Sequence, residues 1–204
     1  MGRRSEHTAE ELRELILTAA TELVLEGGFA AVSAREIARK IEYSPGTLYN
    51  AFRNLDDVLL TLEGRLLDAL DERLRAVPPS VEPRQNVHDL AKAYLAFTHE
   101  NPRLWNLLFE HHLAPDTPIP EWFMTKLDGL MGRLEAALRP IVRGHDPGVC
   151  AKAARVLWAS VHGIASLSTA DKLANVTPDA AGSLVHDLIE TYLDGLALTP
   201  QPGA

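Results

Sequence analysis

The sequence predicts an all-α fold of about nine helices. Apolar residues recur three or four positions apart along most of the chain, as at Leu12, Ile16 and Ala19, and this is the period of a helix with one buried face. No segment sustains the alternation of apolar and polar residues that indicates a strand. In order, the predicted helices cover residues 8–26, 33–41, 45–51, 56–76, 86–100, 102–112, 120–143, 147–170 and 178–197.

Two capping patterns mark the starts of these helices. Proline after a capping side chain puts an acceptor at the N-cap and a residue without an N–H at the first helical position; this pattern occurs at Ser44, Asn101, Asp146 and Thr177. In a capping box, a Ser or Thr exchanges hydrogen bonds with a Glu three residues later; the boxes are Thr8 with Glu11 and Ser33 with Glu36.

Glycine and proline mark where helices end. Gly27-Gly28 ends the first helix and Val77-Pro78-Pro79 ends the fourth. Pro140 ends or kinks the seventh, because proline lacks the N–H that a helix interior needs. The helix lengths divide the chain into a small unit with two very short helices, residues 1–55, and a larger domain of long helices, residues 56–204.

The composition is typical of a globular protein of one or two domains, with 204 residues of which 46% are apolar and 24% charged. A net charge of −8 argues against nucleic-acid binding by the chain as a whole, since such proteins usually carry excess positive charge. Between Ser33 and Leu55, however, four basic residues face only Glu36 and Glu42, which predicts a local patch of charge +2. Arg3-Arg4 form a short basic arm before the first helix.

Cysteine content and hydropathy bear on the location of the protein. The single Cys150 forms no intramolecular disulfide and no cysteine-built zinc site, which fits a reducing compartment. No run approaches the roughly 20 apolar residues of a membrane helix. Residues 1–7 are polar and lack the apolar core of a signal peptide. A cytoplasmic protein with no membrane partner is expected.

Two short helices joined by a tight turn predict a helix-turn-helix. Ile37 and Ile41 give the first short helix an inward face, and Leu48 and Phe52, four residues apart, give one to the second. The connection between them, residues 42–44, is three residues long. In this motif the second helix can enter the major groove of DNA.

The outward face of the second short helix suits contact with DNA. Gly46 lets backbone amides approach a phosphate, and Thr47 can donate to a phosphate or meet a thymine methyl. Tyr49 offers a hydroxyl to the DNA backbone, while Asn50 has the paired donor and acceptor that match adenine. The alternative is a helical hairpin inside a bundle, with Tyr49 and Asn50 facing solvent. The predicted DNA-contacting residues are Ser33, Arg35, Ser44, Pro45, Gly46, Thr47, Tyr49, Asn50 and Arg53.

Three segments, Gly28–Ser33, Ile37-Ala38 and Ser44–Phe52, resemble the DNA-binding domain of the TetR family of bacterial transcriptional regulators. The resemblance runs without a gap over roughly residues 10 to 60. It implies a homodimeric, all-helical, ligand-responsive regulator, usually a repressor, whose C-terminal domain binds an effector and dimerises.

One position departs from the pattern of that family. The family commonly has a lysine that grips a phosphate three residues after the aromatic found here at Phe52, and this chain has Leu55 at that place. Arg53 lies close enough in sequence to make the missing phosphate contact, and this substitution is a hypothesis for mutagenesis.

The segment Trp158–Gly163 resembles a signature of one group of TetR-type C-terminal domains, sometimes called the WHG domain. Trp158 and His162 are four residues apart and share a helix face, and Gly163 allows another helix to approach. Two interpretations stay open: a core tryptophan beside a hydrogen-bonded buried imidazole, or direct contact with a ligand.

Aromatic residues of the middle helices are candidates for an effector pocket, although core packing explains the same spacing. Few charges interrupt these stretches, which favours an apolar or aromatic effector. One alternative is a metal site that joins His99, His111 or His112 to His162 across helices. Another is redox sensing by Cys150. The pocket candidates are Trp105, Phe109, His112, Trp122, Phe123, Trp158 and His162.

The last two predicted helices are candidates for the dimer interface, because their apolar stripes are wider than one packing contact requires. Two copies would form a four-helix interface, the arrangement that the family resemblance also implies. The interface candidates are Val156, Ser160, Ile164, Leu184, Leu188 and Tyr192.

These patterns together predict a ligand-responsive repressor. It would bind a near-palindromic operator in double-stranded DNA as a homodimer and be released by a small effector. No HExxH, GxSxG, GxGxxG or GxxxxGKS/T motif is present, so no enzyme activity, cofactor or metal is expected. Two alternatives remain: control by a protein partner, and a small-molecule-binding bundle whose helix-turn-helix does not function.

Overall fold

The computed structural model of the protein describes residues 7–142 and 147–198. Within these ranges the chain forms α-helices and short 3-10 helices and no strand, so the predicted all-α class is confirmed. None of the described helices is long and apolar enough to cross a membrane. The α-helices are α1 (Ala9–Gly27), α2 (Ala34–Lys40), α3 (Leu55–Arg75), α4 (Pro83–Glu100), α5 (Pro102–Glu110), α6 (Glu121–Leu138), α7 (Pro147–Thr169) and α8 (Ala181–Leu198). The 3-10 helices are Phe29–Ala31, Pro45–Asn50 and Leu173–Asn175.

The two predicted capping boxes have different outcomes. At α1 the box is complete: the backbone N–H of Glu11 donates to Thr8 Oγ1 at 3.2 Å, and the N–H of Thr8 donates to Glu11 Oε2 at 2.7 Å. At α2 the Ser33 hydroxyl accepts from the N–H of Glu36 at 3.1 Å. The carboxylate of Glu36 pairs with Arg39 instead of returning to the cap, so only half of the second box forms.

Three predicted helix boundaries are wrong by three residues or more. Helix α4 begins at Pro83 and not at 86. The last helix begins at Ala181 and not at 178, because Thr177 Oγ1 accepts from the N–H of Asp179 at 3.2 Å in a turn that precedes the helix. Helix α6 ends at Leu138 and not at 143, two residues before Pro140, as the missing N–H of a proline requires. The predicted cap at Asp146 lies outside the described residues.

Glycine ends α1 as predicted. Gly28 has φ +72°, in the left-handed region that glycine adopts without steric cost. A Cβ on Gly27 would lie 2.7 Å from the Cβ of Ala31, so the neighbouring position also needs glycine, here for close packing. The turn between the two helices of the helix-turn-helix has Glu42 in the same left-handed region, at φ +60°.

The second short helix of the helix-turn-helix forms where it was predicted, over Pro45–Asn50, and it is wound as a 3-10 helix. We call this segment the recognition helix. Its first turn closes by an i+3 bond from the N–H of Thr47 to the carbonyl of Ser44 at 2.9 Å. The Ser44 hydroxyl does not cap the backbone as expected, because it lies 3.0 Å from the Thr47 hydroxyl. Six residues with proline and glycine at the start favour this tighter winding.

The described chain packs as two compact units. The first comprises Met1–Leu67 and Arg103–Phe123, and the second comprises Asp68–Pro102 and Met124–Ala204. Helices α3 and α6 each contribute residues to both units. These units are defined by packing. The assignment of DNA binding to residues 1–55, and of effector binding and dimerisation to residues 56–204, stays a proposal.

Each unit has its own apolar core. In the first unit, residues from α1, α2, the recognition helix, α3 and α5 cluster together; the largest fully buried ones are Ile16, Leu17, Ile37, Leu48, Leu59 and Leu107. In the second unit, α4, α7 and α8 pack against one another. The largest fully buried residues of the second unit are Leu70, Leu138, Leu157, Ile189 and Leu193.

Candidate nucleic-acid interface and effector cavity

The recognition helix is anchored by the two residues that the spacing predicts. Leu48 is 2% exposed and Phe52 is 3% exposed, and both belong to the core of the first unit. The carbonyl of Ala51, at the end of the helix, accepts a hydrogen bond from Arg13 Nη1 of α1 at 3.0 Å. Arg13 Nη2 also donates to Thr61 Oγ1 of α3 at 3.3 Å. Three elements therefore fix the orientation of the recognition helix.

The opposite face of the recognition helix is open. Tyr49 is 59% exposed, and Asn50 is also exposed. A Cβ on Gly46 would have no described protein atom within 4 Å, so packing within the chain does not require glycine at this position. Of the predicted DNA-contacting residues, Arg35, Ser44, Pro45, Gly46, Tyr49, Asn50 and Arg53 are exposed, and Ser33 and Thr47 are half-buried.

The positive patch predicted over residues 33–55 is weaker than its composition suggests. Lys40 Nζ lies 2.8 Å from Glu26 and 3.1 Å from Glu22, two carboxylates supplied by α1. Arg39 pairs with Glu36 at 2.8 Å. Among the described residues, Arg35 has no ion-pair partner. The predicted charge of residues 33–55 omits the two α1 carboxylates, because these lie outside that stretch in sequence but close to it in space.

Arg53, proposed to replace the missing lysine at Leu55, is paired with a carboxylate. Its backbone N–H donates to Asp57 Oδ2 at 3.1 Å, and its Nη2 lies 3.3 Å from Asp57 Oδ1. These hydrogen bonds keep the carboxylate charged: although partial burial works to raise the pKa of Asp57, the bonds with Arg53 lower it. A phosphate must therefore share or displace Asp57 to engage Arg53. The predicted arm Arg3-Arg4 lies outside the described residues.

The second unit contains an apolar cavity of about 70 Å³. Its walls come from α3, α4, α6, α7 and α8. The sequence predicts only Trp158 among these residues, because a cavity wall and a packed core show the same helical spacing of apolar side chains. The lining residues are Leu70, Leu74, Val87, Leu90, Ala91, Tyr94, Leu130, Met131, Arg133, Leu134, Leu157, Trp158, Val161 and Ile189.

Trp158 is the one predicted pocket residue that lines this cavity among the described residues. Its ring stacks on that of His162, with centroids 5.4 Å apart and planes 9° apart. His162 Nδ1 forms a hydrogen bond with Tyr94 Oη at 2.9 Å, and Tyr94 also lines the cavity. Burial lowers the pKa of His162, so the imidazole is neutral near pH 7. This wall is polar but uncharged.

His162 belongs to the second unit but is not in the lining of the cavity, and the five remaining pocket candidates belong to the first unit and do not line the cavity. Trp105 and Phe123 are buried, whereas Phe109 and Trp122 are 39% and 42% exposed. Trp105 packs against Phe109 with ring centroids 5.8 Å apart. His112 is exposed and its Nδ1 bonds to the carbonyl of Glu110.

The first unit contains a buried polar cluster that the sequence did not predict. The side chain of His111 is 3% exposed, and its Nδ1 lies 2.7 Å from Glu63 Oε1, whose side chain is 5% exposed. His111 Nε2 lies 3.3 Å from Asp56 Oδ1. Burial disfavours the charged imidazole, but the two carboxylates outweigh it and raise the pKa of His111. Burial raises the pKa of Glu63, with His111 acting against the shift.

The structure assigns other roles to the remaining metal and redox candidates. His99 Nδ1 donates to the carbonyl of Leu95 at 2.8 Å, and its Nε2 lies 2.8 Å from Ser168 Oγ. No group of three His, Cys, Asp or Glu in the described part of the chain is placed to hold a metal ion. Cys150 is buried and donates to the carbonyl of Glu135 at 3.3 Å. Burial raises the pKa of its thiol, which disfavours a reactive thiolate.

The predicted dimer residues lie on partly exposed faces of α7 and α8. Val156 is 38% exposed, and Ser160, Ile164, Leu184, Leu188 and Tyr192 are half-buried. In contrast, Leu157 and Val161 of α7 and Val185 and Ile189 of α8 face the core of the unit. A Cβ on Gly163 would have no described atom within 4 Å, so none of the described helices packs closely against this glycine.

Two family models match the sequence. Residues 16–62 match the bacterial regulatory proteins of the tetR family, and residues 87–192, about half of the chain, match the tetracyclin repressor-like C-terminal domain. The chain belongs to the TetR family. This TetR-family protein is therefore a DNA-binding transcriptional regulator and not an enzyme. The narrower resemblance of Trp158–Gly163 to the WHG group stays a prediction.

Solved structures share the fold of this TetR-family protein. A protein of unknown function from Rhodococcus sp. RHA1 is 22% identical with a TM-score of 0.75, and the match covers 96% of this chain and 100% of the other. Thermus thermophilus FadR, a transcriptional repressor in complex with lauroyl-CoA, is 24% identical with a TM-score of 0.65, over 94% and 98% of the chains. Bacillus subtilis FadR in complex with stearoyl-CoA is 16% identical with a TM-score of 0.64, over 89% and 98%.

Proposed function

We propose that this TetR-family regulator is a repressor that binds a near-palindromic operator as a homodimer and leaves it when a small apolar effector binds. The recognition helix is the observation that carries the proposal. Leu48 and Phe52 are buried while Tyr49 and Asn50 are exposed beside them. Polar side chains that can read bases thus project from a fixed scaffold, as a reader of the major groove requires.

The contacts proposed on DNA follow from the side chains that this face presents. Asn50 supplies the donor and acceptor that match adenine, and is the candidate for sequence readout. Ser44, Thr47 and Tyr49 offer hydroxyls to the phosphate backbone. Arg35 supplies a charge that no carboxylate of the described chain neutralises. With so few unpaired cations, we expect modest nonspecific affinity and specificity that depends on Asn50.

Dimerisation is proposed through α7 and α8, because these helices keep apolar and small residues partly exposed on one face. Two copies of the pair would form a four-helix interface. A twofold dimer presents two recognition helices to half-sites about 34 Å apart, one turn of DNA, or a multiple of that spacing. The symmetry of the dimer is the reason to expect a near-palindromic operator.

The effector is proposed to bind in the cavity of the second unit. Its apolar lining favours an apolar or aromatic ligand. The two FadR proteins that share the fold hold acyl-CoA molecules, and an acyl chain is one ligand of this class. Leu70 and Leu74, which line the cavity, belong to α3. The same helix begins at Leu55, just after the recognition helix, so α3 is the proposed route of coupling.

The extent to which an effector weakens operator binding can be bounded. Coupling free energies between two sites are typically about 1–3 kcal/mol, which would weaken operator binding roughly 5- to 150-fold. A complete switch requires about 5.5 kcal/mol of difference in effector affinity between the two states. An effector that binds equally well to both states would leave the operator bound.

Selection of bound sequences from a random pool of double-stranded DNA, with the full chain, tests this proposal. We expect a near-palindrome with half-sites one turn or a multiple apart, and weaker binding of that DNA when apolar ligands are added. Failure to select any site would favour a ligand-binding bundle with a nonfunctional helix-turn-helix. Selection of a site that no small ligand releases would favour control by a protein partner.

A further inference from the structure

The wall of the cavity carries one charged side chain among the described residues, Arg133 of α6. Its neighbours in the lining are apolar, apart from the hydroxyl of Tyr94 and the indole N–H of Trp158. The side chain of Arg133 is 28% exposed. A cation at the edge of an apolar cavity is costly unless it has a partner, so its partners define what the site can bind.

Arg133 and its neighbours form a cluster with excess positive charge. Its Nε and Nη2 donate to a single oxygen, Asp71 Oδ1 of α3, at 3.1 and 2.6 Å. The other oxygen of Asp71 lies 2.6 Å from Arg75 Nη2. One carboxylate therefore serves two guanidinium groups, which leaves a net charge of +1. Arg133 Nη1 has no partner within the described part of the chain.

Among the described residues of the lining, no other charged side chain offsets this excess. On the wall formed by α4 and α7, Tyr94 and His162 bond to each other, and burial lowers the pKa of His162 so that the ring adds no charge near pH 7. Asp71 and Arg133 are 21% and 28% exposed, whereas Arg75 is 65% exposed, so the pair of Asp71 and Arg133 is the part of the cluster that is partly shielded from water. Its interaction with an added charge is stronger there than on an open surface.

We infer that the effector is an amphiphile with an apolar body and an anionic head, and that Arg133 binds the head. The inference rests on the proposed function, because it names the ligand class of the same cavity. The anion accepts a hydrogen bond from Arg133 Nη1 and competes with Asp71 for the remaining donors. Because Asp71 belongs to α3 beside Leu70, this exchange acts on the helix proposed as the route of coupling.

The volume of the cavity sets the expected length of the apolar body of the ligand. A cavity of about 150 Å³ holds a benzene molecule, and this cavity measures about 70 Å³. Only a few carbon atoms therefore fit before the walls must move. Met131, a flexible side chain in the lining, is suited to such movement. A homologous series of ligands is needed to find the best length.

Calorimetric titration of the full chain tests the inference with straight-chain carboxylates from hexanoate to dodecanoate and the matched primary alcohols. At about pH 7 the acids are ionised, and we expect the carboxylate to bind at least about tenfold more tightly than its alcohol, as for a hydrogen bond to a charged group. Arg133→Met, which keeps the apolar stem, should bring this ratio close to one. Asp71→Asn should raise carboxylate affinity. Arg155→Met, outside the lining, should change neither.

The outcomes separate this inference from the proposed function. Equal binding of alcohol and carboxylate, with release of the selected operator by both, overturns the anionic head and keeps the apolar effector. Binding of neither series overturns the anionic amphiphile, and the proposed function then depends on the DNA selection alone. A carboxylate preference that survives Arg133→Met overturns the role of Arg133, and circular dichroism checks that each variant is folded. Octanoyl-CoA distinguishes the source: binding of the thioester without octanoate, still sensitive to Arg133→Met, assigns the head to a phosphate.

Discussion

The guanidinium of Arg13 lies over the ring of Phe52, with Cζ 4.1 Å from the ring centroid. Arg13 belongs to α1, and Phe52 is one of the two buried side chains that anchor the recognition helix. The same guanidinium bonds to the carbonyl of Ala51. A basic residue of the first helix is thus part of the scaffold that holds the recognition helix and does not need to touch DNA.

Arg13→Ala should therefore weaken operator binding without changing its dependence on salt. Loss of the cation–π contact and of a charge-assisted hydrogen bond is expected to destabilise the protein by about 1–3 kcal/mol. Arg13→Lys should restore little, since an ammonium lacks the planar fork. In contrast, Arg35→Ala should reduce the salt slope by about one, as for a lost phosphate contact. A reduced slope in Arg13→Ala would place Arg13 on the DNA.

Substitution of Arg53 and substitution of Asp57 should have opposite effects on operator binding. If Arg53 contacts a phosphate, Arg53→Ala should weaken operator binding and lower the salt slope by about one. Asp57→Asn keeps an acceptor for the backbone N–H but removes the competing charge, so binding and the salt slope should both rise. Fluorescence anisotropy at several salt concentrations measures both. An unchanged slope in both variants would remove Arg53 from the interface.

Sequence readout should depend on the exposed face of the recognition helix. Asn50→Ala is expected to cost about 1–3 kcal/mol of operator affinity and to relax specificity at one base in each half-site. Tyr49→Phe and Thr47→Ala should weaken binding to all sequences similarly, because their contacts are to the backbone. Repeating the DNA selection with each variant distinguishes the two effects. An Asn50→Ala protein that selects the same site with the same stringency would contradict the assignment.

The pair of His111 and Glu63 predicts a stability that falls as pH rises. Both pKa values are raised in the folded state, so the native protein holds protons that the unfolded chain has released. The resulting stabilisation is lost for Glu63 as pH rises above its ordinary value near 4.5 and for His111 above 6.5. At about pH 6, His111→Leu should cost at most roughly 3–5 kcal/mol, because it leaves Glu63 buried without its partner, and uptake of a proton by Glu63 avoids part of that cost.

Urea denaturation between about pH 6 and 9 measures this difference. The stability advantage of the native chain over His111→Leu should shrink across the range, as His111 loses its proton. The double variant with Glu63→Leu should recover most of the loss, since no buried charge remains unpaired. A difference that does not change with pH would show that His111 keeps one protonation state throughout.

The proposed dimer interface can be tested by charge insertion. Val156→Arg or Leu188→Arg should convert the protein to a monomer, since two copies would bring the like charges together in a desolvated interface. Gln85→Arg, at an exposed position of α4, is the control. Analytical ultracentrifugation gives the mass and circular dichroism the helix content. A dimer that survives both substitutions with its helices intact would place the interface elsewhere.

Sequence patterns predicted the features that depend on residues close together in the chain. The prediction that Leu48 and Phe52 are both buried is confirmed, although the helix is a 3-10 helix that ends at Asn50 and Phe52 follows its end. Thr8, Gly28 and Pro140 marked helix ends because capping, a left-handed φ and a missing N–H act within a few residues. The combined motifs of residues 28–52 pointed to the family that the domain matches then established.

Only the tertiary structure decided which charges are available and where the cavity lies. Glu22 and Glu26 neutralise Lys40 from another helix, and electrostatic pairing depends on distance in space and not on distance in sequence. The cavity forms where five helices fail to fill the space between them, a property of packing that the apolar pattern of any one helix does not contain. The helical period and the motifs predicted an all-helical regulator with an exposed Asn50, because both depend on residues close together in the chain. Packing placed Arg133 in the lining of the cavity and the aromatic residues of the middle helices outside that lining.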